Sequence, residues 1–278
     1  WAVEKFLAPF PASVAAYGKP GGGKWAAGDT LKLPQLARAL RAIADSGASA
    51  FYTGWIADSI EAQMRAHGGI ISRADLAAYE AVERAPLRGS FNGHELIVMG
   101  PPSSGGMVTL LTLNQLEALG VERMSRGDAR TLHLRLEVAR RTYLDRARWL
   151  GDPAFSDIPL ERLISKEYAR ELAASIDTLH ASSSLELGKD IVTPAESKQT
   201  THFSVIDAEG NAVSSTYTLE GGYGSGVVVA GFLLNNEMGD FNKKPGYTDQ
   251  GWAIGTPANV IAPGKRMLSS MAPAIVTK

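Results

Sequence analysis

Thr200 is the residue best placed to do chemistry. It stands where a long polar, Ser- and Thr-rich passage from Asp177 onward runs into the β-type segment Gln199-Thr200-Thr201-His202. If the preceding bond is cut, a threonine there carries a hydroxyl nucleophile and, on its own backbone nitrogen, a base. A free α-amine titrates near about 8 and can take the hydroxyl proton without any His or Asp partner. It is the one-residue counterpart of a Ser–His pair. Taken alone, the same residues also read as an ordinary strand opening, since Thr favours strands. Other chemistries find less footing. The chain has no Cys, which removes thiolate nucleophiles, thiolate zinc sites and disulfides. His67, His94, His133, His180 and His202 show no metal-ligand spacing and no acidic cluster accompanies them, so no metal is expected. Strand alternation assigns His202 a packing role. Gly221-Gly222-Tyr223-Gly224-Ser225-Gly226 lacks the Lys-Ser/Thr ending of a phosphate loop, and no nucleotide or other cofactor is expected. Ser103-Ser104-Gly105-Gly106 reads as a structural helix cap rather than an anion cradle.

The elements that must carry Thr200 follow from periodicity. Leu36, Leu40 and Ile43 recur at helical spacing over 34–45, with Gly47 as the stop. A second amphipathic stretch covers 51–67 and ends at Gly68-Gly69, and Ser72 with Asp75 forms a capping-box variant. His94 to Met99 reads as a strand, and a helix from Gly105 to Leu119 follows it. The strongest helical pattern is 128–150, with Leu132, Leu136, Ala139, Tyr143, Ala147 and Leu150 along one face. Its Arg130, Arg135, Arg140, Arg141, Arg146 and Arg148 read mostly as a solvated face. Two short helices fall within 159–175. The passage Asp177 to Thr200 reads as an exposed, mobile loop. Then His202 to Ile206 and Ala212 to Leu219 flank the turn Ala208-Glu209-Gly210-Asn211, and Phe232 to Leu234 forms a third short strand. A polar loop thus empties into a buried core strand at Thr200.

The chain has 278 residues, 45% of them hydrophobic, with 28 Lys+Arg against 29 Asp+Glu. That is enough to bury a large core in one domain or two small ones. A net charge of −1 argues against a nucleic-acid partner, and no run approaches the ~18 apolar residues of a membrane span. Trp1 to Leu7 reads as the interior of an element, and Ala272 to Lys278 stops without a cap, so a fragment is expected.

Five blocks in order resemble the small-subunit half of the γ-glutamyltransferases (glutathione hydrolases) of the N-terminal-nucleophile hydrolase superfamily. They are Gln199 to Val205, Gly210-Asn211-Ala212-Val213, Thr216-Tyr217-Thr218-Leu219, Leu233 to Phe241 and Leu268-Ser269-Ser270-Met271. Upstream, Lys32 to Ala37, Phe51-Tyr52-Thr53-Gly54 and Pro101 to Gly106 are similar to that family's large subunit. The resemblance implies an α/β chain of the α+β type, a four-layer αββα sandwich. Residues 1–199 would be the C-terminal part of a large subunit and 200–278 the N-terminal part of a small one. Self-cleavage would fall between Gln199 and Thr200, leaving a heterodimer. By the same resemblance, Thr200 is the nucleophile and Thr218 the threonine that orients it. Glu237 and Asp240 hold the α-ammonium of a γ-glutamyl substrate, Ser269 and Ser270 its α-carboxylate. Glu220 sits where many relatives carry Asn and also faces the ammonium.

Water or an acceptor amine, an amino acid or short peptide, would resolve the γ-glutamyl ester. Residues 243–266, with Tyr247 and Trp252, match a lid loop. The family's carboxylate-binding Arg is expected upstream of Trp1 and its oxyanion-hole Gly-Gly beyond Lys278, so the chain by itself would be nearly inactive. Arg84 and Arg88 fall outside the matching blocks. A periplasmic or secreted location is implied by the family alone. Two alternatives remain: a glutaryl (cephalosporin) acylase on the same scaffold, suggested by Glu220, and a non-catalytic, unprocessed homologue.

Overall fold

A computed structural model describes residues 3–125, 127–188, 200–242 and 257–278, which form two compact units. The first unit takes residues 1–83 and 218–236. Its helices are α1 (Pro11–Tyr17), α2 (Pro34–Ser46), α3 (Ser49–Tyr52), α4 (Trp55–His67) and α5 (Arg73–Ala78). The helix expected over 51–67 is split at Thr53-Gly54, a point where a side chain on Gly54 would lie 2.7 Å from the Ala50 carbonyl, so only glycine fits. Gly68 closes α4 in the left-handed conformation at φ 74°, and Ser72 and Asp75 form the capping box that opens α5. Ala39, Ile56 and Ile60 bury against Val229 of a two-rung ladder, Val228–Val229 paired with Phe232–Leu233. Leu40 is exposed; Ala39 takes the buried place on α2. Gly221, Gly224 and Gly226 serve close packing: a Cβ on Gly224 (φ 53°) would sit 2.1 Å from the Leu234 carbonyl.

The second unit takes residues 84–217 and 237–278. Strands β1 (Leu87–Phe91) and β2 (His94–Val98) pair antiparallel, and the C-terminal strand Ala274–Thr277 joins the other edge of β2. Asn92-Gly93, both left-handed at φ 49° and 78°, makes the tight turn between β1 and β2. Against this sheet lies α6 (Gly105–Ala118), which packs on α7 (Ala129–Trp149) and α9 (Lys166–Ala174), with α8 (Leu160–Leu163) beside it. Met107, Leu111, Leu150, Leu163 and Leu268 make one buried cluster and Leu96, Val98 and Leu110 another.

Helix α7 buries only part of the face the sequence marks: Ala147 and Leu150 are buried as expected, and Leu134 and Val138 turn inward beside them. Leu132 and Leu136 are 58% and 53% exposed and Tyr143 is exposed, whereas Glu137, Arg141, Thr142 and Asp145 are buried. Burial of charge is tolerated because each charge is answered. Arg141 donates to Glu137 at 2.8 Å and to Ser175, and Tyr168 donates to Asp145 at 2.9 Å. The described start of the polar passage is also anchored. His133 meets the Asp177 carbonyl at 2.8 Å, the Ser182 amide donates to Glu137 at 2.9 Å, and Ser183 caps α10 (Ser184–Leu187). Residues 189–199 lie outside the described part.

Strands β3 (Thr201–Ile206) and β4 (Ala212–Tyr217) form an antiparallel hairpin in register Thr201↔Tyr217 to Ile206↔Ala212. Asp207 holds the turn by accepting from the Asn211 amide at 2.8 Å. The buried core strand expected at Thr200 is instead exposed along its whole length, Phe203, Val205 and Ile206 included. Among the described residues β4 is its sole sheet partner.

Candidate active site

Thr200 is exposed and immediately precedes β3. Gln199, the other side of the expected cut, lies outside the described residues. The ladder ends at the pair Thr201↔Tyr217, and Thr218 is the next residue along the chain. Thr218 is half-buried, and its Oγ1 accepts a hydrogen bond from the Glu220 amide at 2.9 Å. That bond occupies one lone pair and turns the Thr218 hydroxyl proton away from the 220 backbone.

Thr218 and Glu220 belong to the first unit and share a small polar motif there. Glu220 is held at φ 70°, a conformation that Asn adopts more readily than Glu. Its carboxylate accepts from the Asn236 side chain, while the Asn236 Oδ1 accepts from the Gly221 amide at 2.9 Å. Burial pushes the Glu220 carboxyl above its usual range, against the opposing effect of a backbone hydrogen bond from Gly221. Asn236 was not singled out from sequence; its lone signal was a place in the Asn235-Asn236-Glu237 block.

The second unit holds Thr200, Glu237, Asp240, Ser269 and Ser270. Glu237 and Asp240 begin and end a single helical turn, both half-buried. Ser269 is buried and Ser270 exposed. Asn259, 6% exposed, joins the two groups. Its Nδ2 donates to the Asp240 carbonyl at 2.6 Å and its Oδ1 accepts from the Leu268 amide at 3.0 Å. One buried amide therefore fixes the acidic turn relative to the residue preceding the serine pair. Nothing in the local pattern marks Asn259, because its partners are backbone groups distant in sequence.

The serine pair is fastened on its other side to the start of α6. Ser269 pairs with Ser103 in a parallel bridge, and the Ser104 amide and hydroxyl both donate to the Ser269 carbonyl at 2.8 Å. The Ser104 hydroxyl makes no helix cap, contrary to the sequence reading. Gly105 and Gly106 are required for close approach: a Cβ on either would fall 2.2 Å from the Met271 carbonyl or 2.0 Å from that of Met99. Arg146 is not a solvated residue either, since it donates to Ser104 at 2.9 Å and to Ser270 at 2.8 Å. Arg88 pairs with Glu95 across the β1–β2 ladder, and Arg84 approaches buried Asp152 at 3.8 Å.

His202 does not pack into a core. It is exposed, with ring nitrogens 2.7 Å from Thr216 Oγ1 and 3.2 Å from Ser204 Oγ. Residues two apart on a strand share a face, so the alternation that assigned it to packing instead gives it the face of positions 200 and 204. Tyr247 and Trp252, expected in a lid, lie outside the described residues. Among the described residues no group of three His, Asp or Glu side chains is placed to hold a metal ion, and no helix is long and apolar enough to cross a membrane.

The mixed α+β fold is that of the N-terminal-nucleophile hydrolases, the class of its structural neighbours. One is a cephalosporin acylase from Bacillus halodurans, similar with a TM-score of 0.77 at 26% identity, covering 100% of this chain and 48% of that one. Another is the γ-glutamyltranspeptidase of Helicobacter pylori, with a TM-score of 0.63 at 35% identity over 66% of this chain and 52% of that one. Residues 2–278 match the γ-glutamyltranspeptidase family model, and the chain belongs to that family. A glutathione hydrolase proenzyme of Escherichia coli (strain K12) is 44% identical over 253 residues, 90% of this chain and 44% of the relative. The chain thus spans about half the length of the curated relatives it matches.

Proposed function

We propose that the full-length protein is a self-processing γ-glutamyltransferase and glutathione hydrolase with Thr200 as its nucleophile. The observation that carries this reading is the position of Thr200, exposed at the opening of β3 in a member of this family. In the precursor the Thr200 hydroxyl attacks the Gln199 carbonyl. The C–N bond breaks, an ester forms on Oγ1, and the former amide nitrogen becomes the α-amine. Water then opens the ester and frees residue 199 as a carboxylate. In the mature enzyme the α-amine takes the hydroxyl proton as Oγ1 attacks the γ-amide carbon of a glutathione-like donor. The amine product leaves with that proton, and water or an acceptor amino acid or peptide resolves the γ-glutamyl ester. Thr218 orients the nucleophile. Glu237, Asp240 and Glu220 receive the donor's ammonium, and Ser269 and Ser270 donate to its carboxylate.

Two features support this reading. Asn259 ties the acidic turn to the segment carrying the serine pair, as a ligand with a cation and an anion on one carbon requires. Both compact units draw on residues from either side of the 199/200 bond, which suits a heterodimer of large and small subunits. The setting that goes with this reading is periplasmic or secreted.

A second reading, a glutaryl acylase, draws support from the likeness to the cephalosporin acylase and from Glu220. A carboxyl raised by burial and engaged by Asn236 is a weaker ammonium partner than a free carboxylate.

The test uses the full-length protein. Denaturing gels should show two pieces, and Thr200→Ala should leave one band. γ-Glutamyl-p-nitroanilide should turn over faster than its glutaryl analogue, which lacks the α-amine. The reverse order would favour the acylase, and a single uncut band from the unmutated protein would point to an inert homologue.

A further inference from the structure

We propose that Arg146 is a positioning residue for the donor's α-carboxylate: it orients the Ser270 hydroxyl and adds a positive charge behind it. The assignment rests on the reading of Ser269 and Ser270 given above. Arg146 lies near the C-terminal end of α7, half-buried, with its guanidinium 5.9 Å from the Tyr143 ring centre. Its Nε donates to Ser104 Oγ at 2.9 Å and its Nη2 to Ser270 Oγ at 2.8 Å. Ser104, 1% exposed, passes the constraint on by donating through both amide and hydroxyl to the Ser269 carbonyl. One guanidinium therefore grips both residues of the pair, Ser270 through its side chain and Ser269 through its backbone.

The direction of these bonds decides their use. A guanidinium has donors and no acceptor, so Ser270 Oγ must receive the bond from Arg146. The Ser270 proton is then directed elsewhere, and the hydroxyl, being exposed, presents a donor outward. Donation to that oxygen by a cation also makes its own proton a stronger donor, and a carboxylate is the partner that gains most. A lysine, a single point of charge on a flexible stem, cannot hold Ser104 and Ser270 in one fork.

Arg146→Met and Arg146→Lys are made in the full-length protein, alone and with Ser270→Ala. Two donors are compared: γ-glutamyl-p-nitroanilide, and 4-aminobutyryl-p-nitroanilide, which lacks the α-carboxylate. Cleavage before Thr200 reports that each variant folds. In Arg146→Met the KM for the γ-glutamyl donor should rise about tenfold or more while kcat changes little, the loss of one charge-assisted hydrogen bond. Turnover of the carboxylate-free donor should be unchanged, and adding Arg146→Met to Ser270→Ala should cost clearly less than Arg146→Met costs alone. Equal losses on both donors, or an additive double variant, would overturn the assignment. If Arg146→Met is not cleaved, Arg146→Lys is read by the same criteria. A wild-type protein inert toward the γ-glutamyl donor would overturn the underlying reading, whereas an active wild type with a donor-independent Arg146 effect overturns this assignment alone.

Discussion

At the scale of single residues, Glu220 concentrates several demands in one place. Its backbone is left-handed, its amide donates to Thr218, and its carboxyl is raised by burial beside Asn236. The pH consequence has a definite sign. A carboxyl raised on folding favours the folded state while protonated, so that contribution is full below the unfolded value of 4.5 and is lost as pH rises through the folded value. Glu220→Gln should therefore flatten the fall in stability above pH ~4.5 and leave the variant the more stable form at neutral pH. Urea midpoints measured across that range check this, and a wild type that gains stability relative to the variant as pH rises would contradict it. The family blocks marked Thr200, Thr218, Glu220, Glu237, Asp240 and the serine pair as candidates in the sequence. Asn236, Asn259 and Arg146 were not, since each acts by reaching groups far along the chain or main-chain atoms that carry no residue signature.

At the scale of elements, periodicity located helices well and their faces less well. The ends of α2 and α7 and the capping box of α5 follow from short-range rules, and the structure keeps them. Leu132, Leu136 and Tyr143 of α7 nevertheless face outward, because the inward face mixes Leu134, Val138 and Ala147 with the ion pair of Glu137 and Arg141. Charged residues paired within a buried face blur the hydrophobic period that sequence alone can read. Arg141→Met should leave Glu137 buried with Ser182 and with the half-buried Arg140, 3.4 Å away, as its remaining cation, costing about 3 kcal/mol. Glu137 now sits below the usual carboxylate range: burial acts to raise it, and hydrogen bonds from Ser182 and Arg141 together overcome that. Calorimetry of the variant against wild type measures the loss, and a change below ~0.5 kcal/mol would show that the pair is not an important tie. Strand β1, and with it the hairpin, was not read from sequence although β2 was, because Arg88, Gly89 and Ser90 break the apolar alternation before the Asn92-Gly93 turn. At the start of α6, Gly106→Ala would force the helix off the Met99 carbonyl and should cost about 1–3 kcal/mol, read as a lowered Tm.

At the scale of the whole molecule, the bond before Thr200 is spanned by contacts that do not depend on it. In the first unit Ser13 donates to the Gly226 carbonyl at 2.7 Å and accepts from the Val228 amide at 3.0 Å, while Phe51 stacks on Phe232. In the second, Leu268 enters the cluster with Met107 and Leu111, and the C-terminal strand pairs with β2. Two pieces made by one cut should therefore elute together in gel filtration and part only in denaturant; separation in native buffer would contradict that expectation. The central claim is that Thr200 becomes an N-terminal nucleophile, and intact-mass spectrometry of the purified full-length protein tests it most directly. The account predicts two masses that sum to the precursor plus one water, with the smaller-subunit mass beginning at Thr200, and a single precursor mass for Thr200→Ala. An uncut wild type, or a new N-terminus at any other residue, would contradict it.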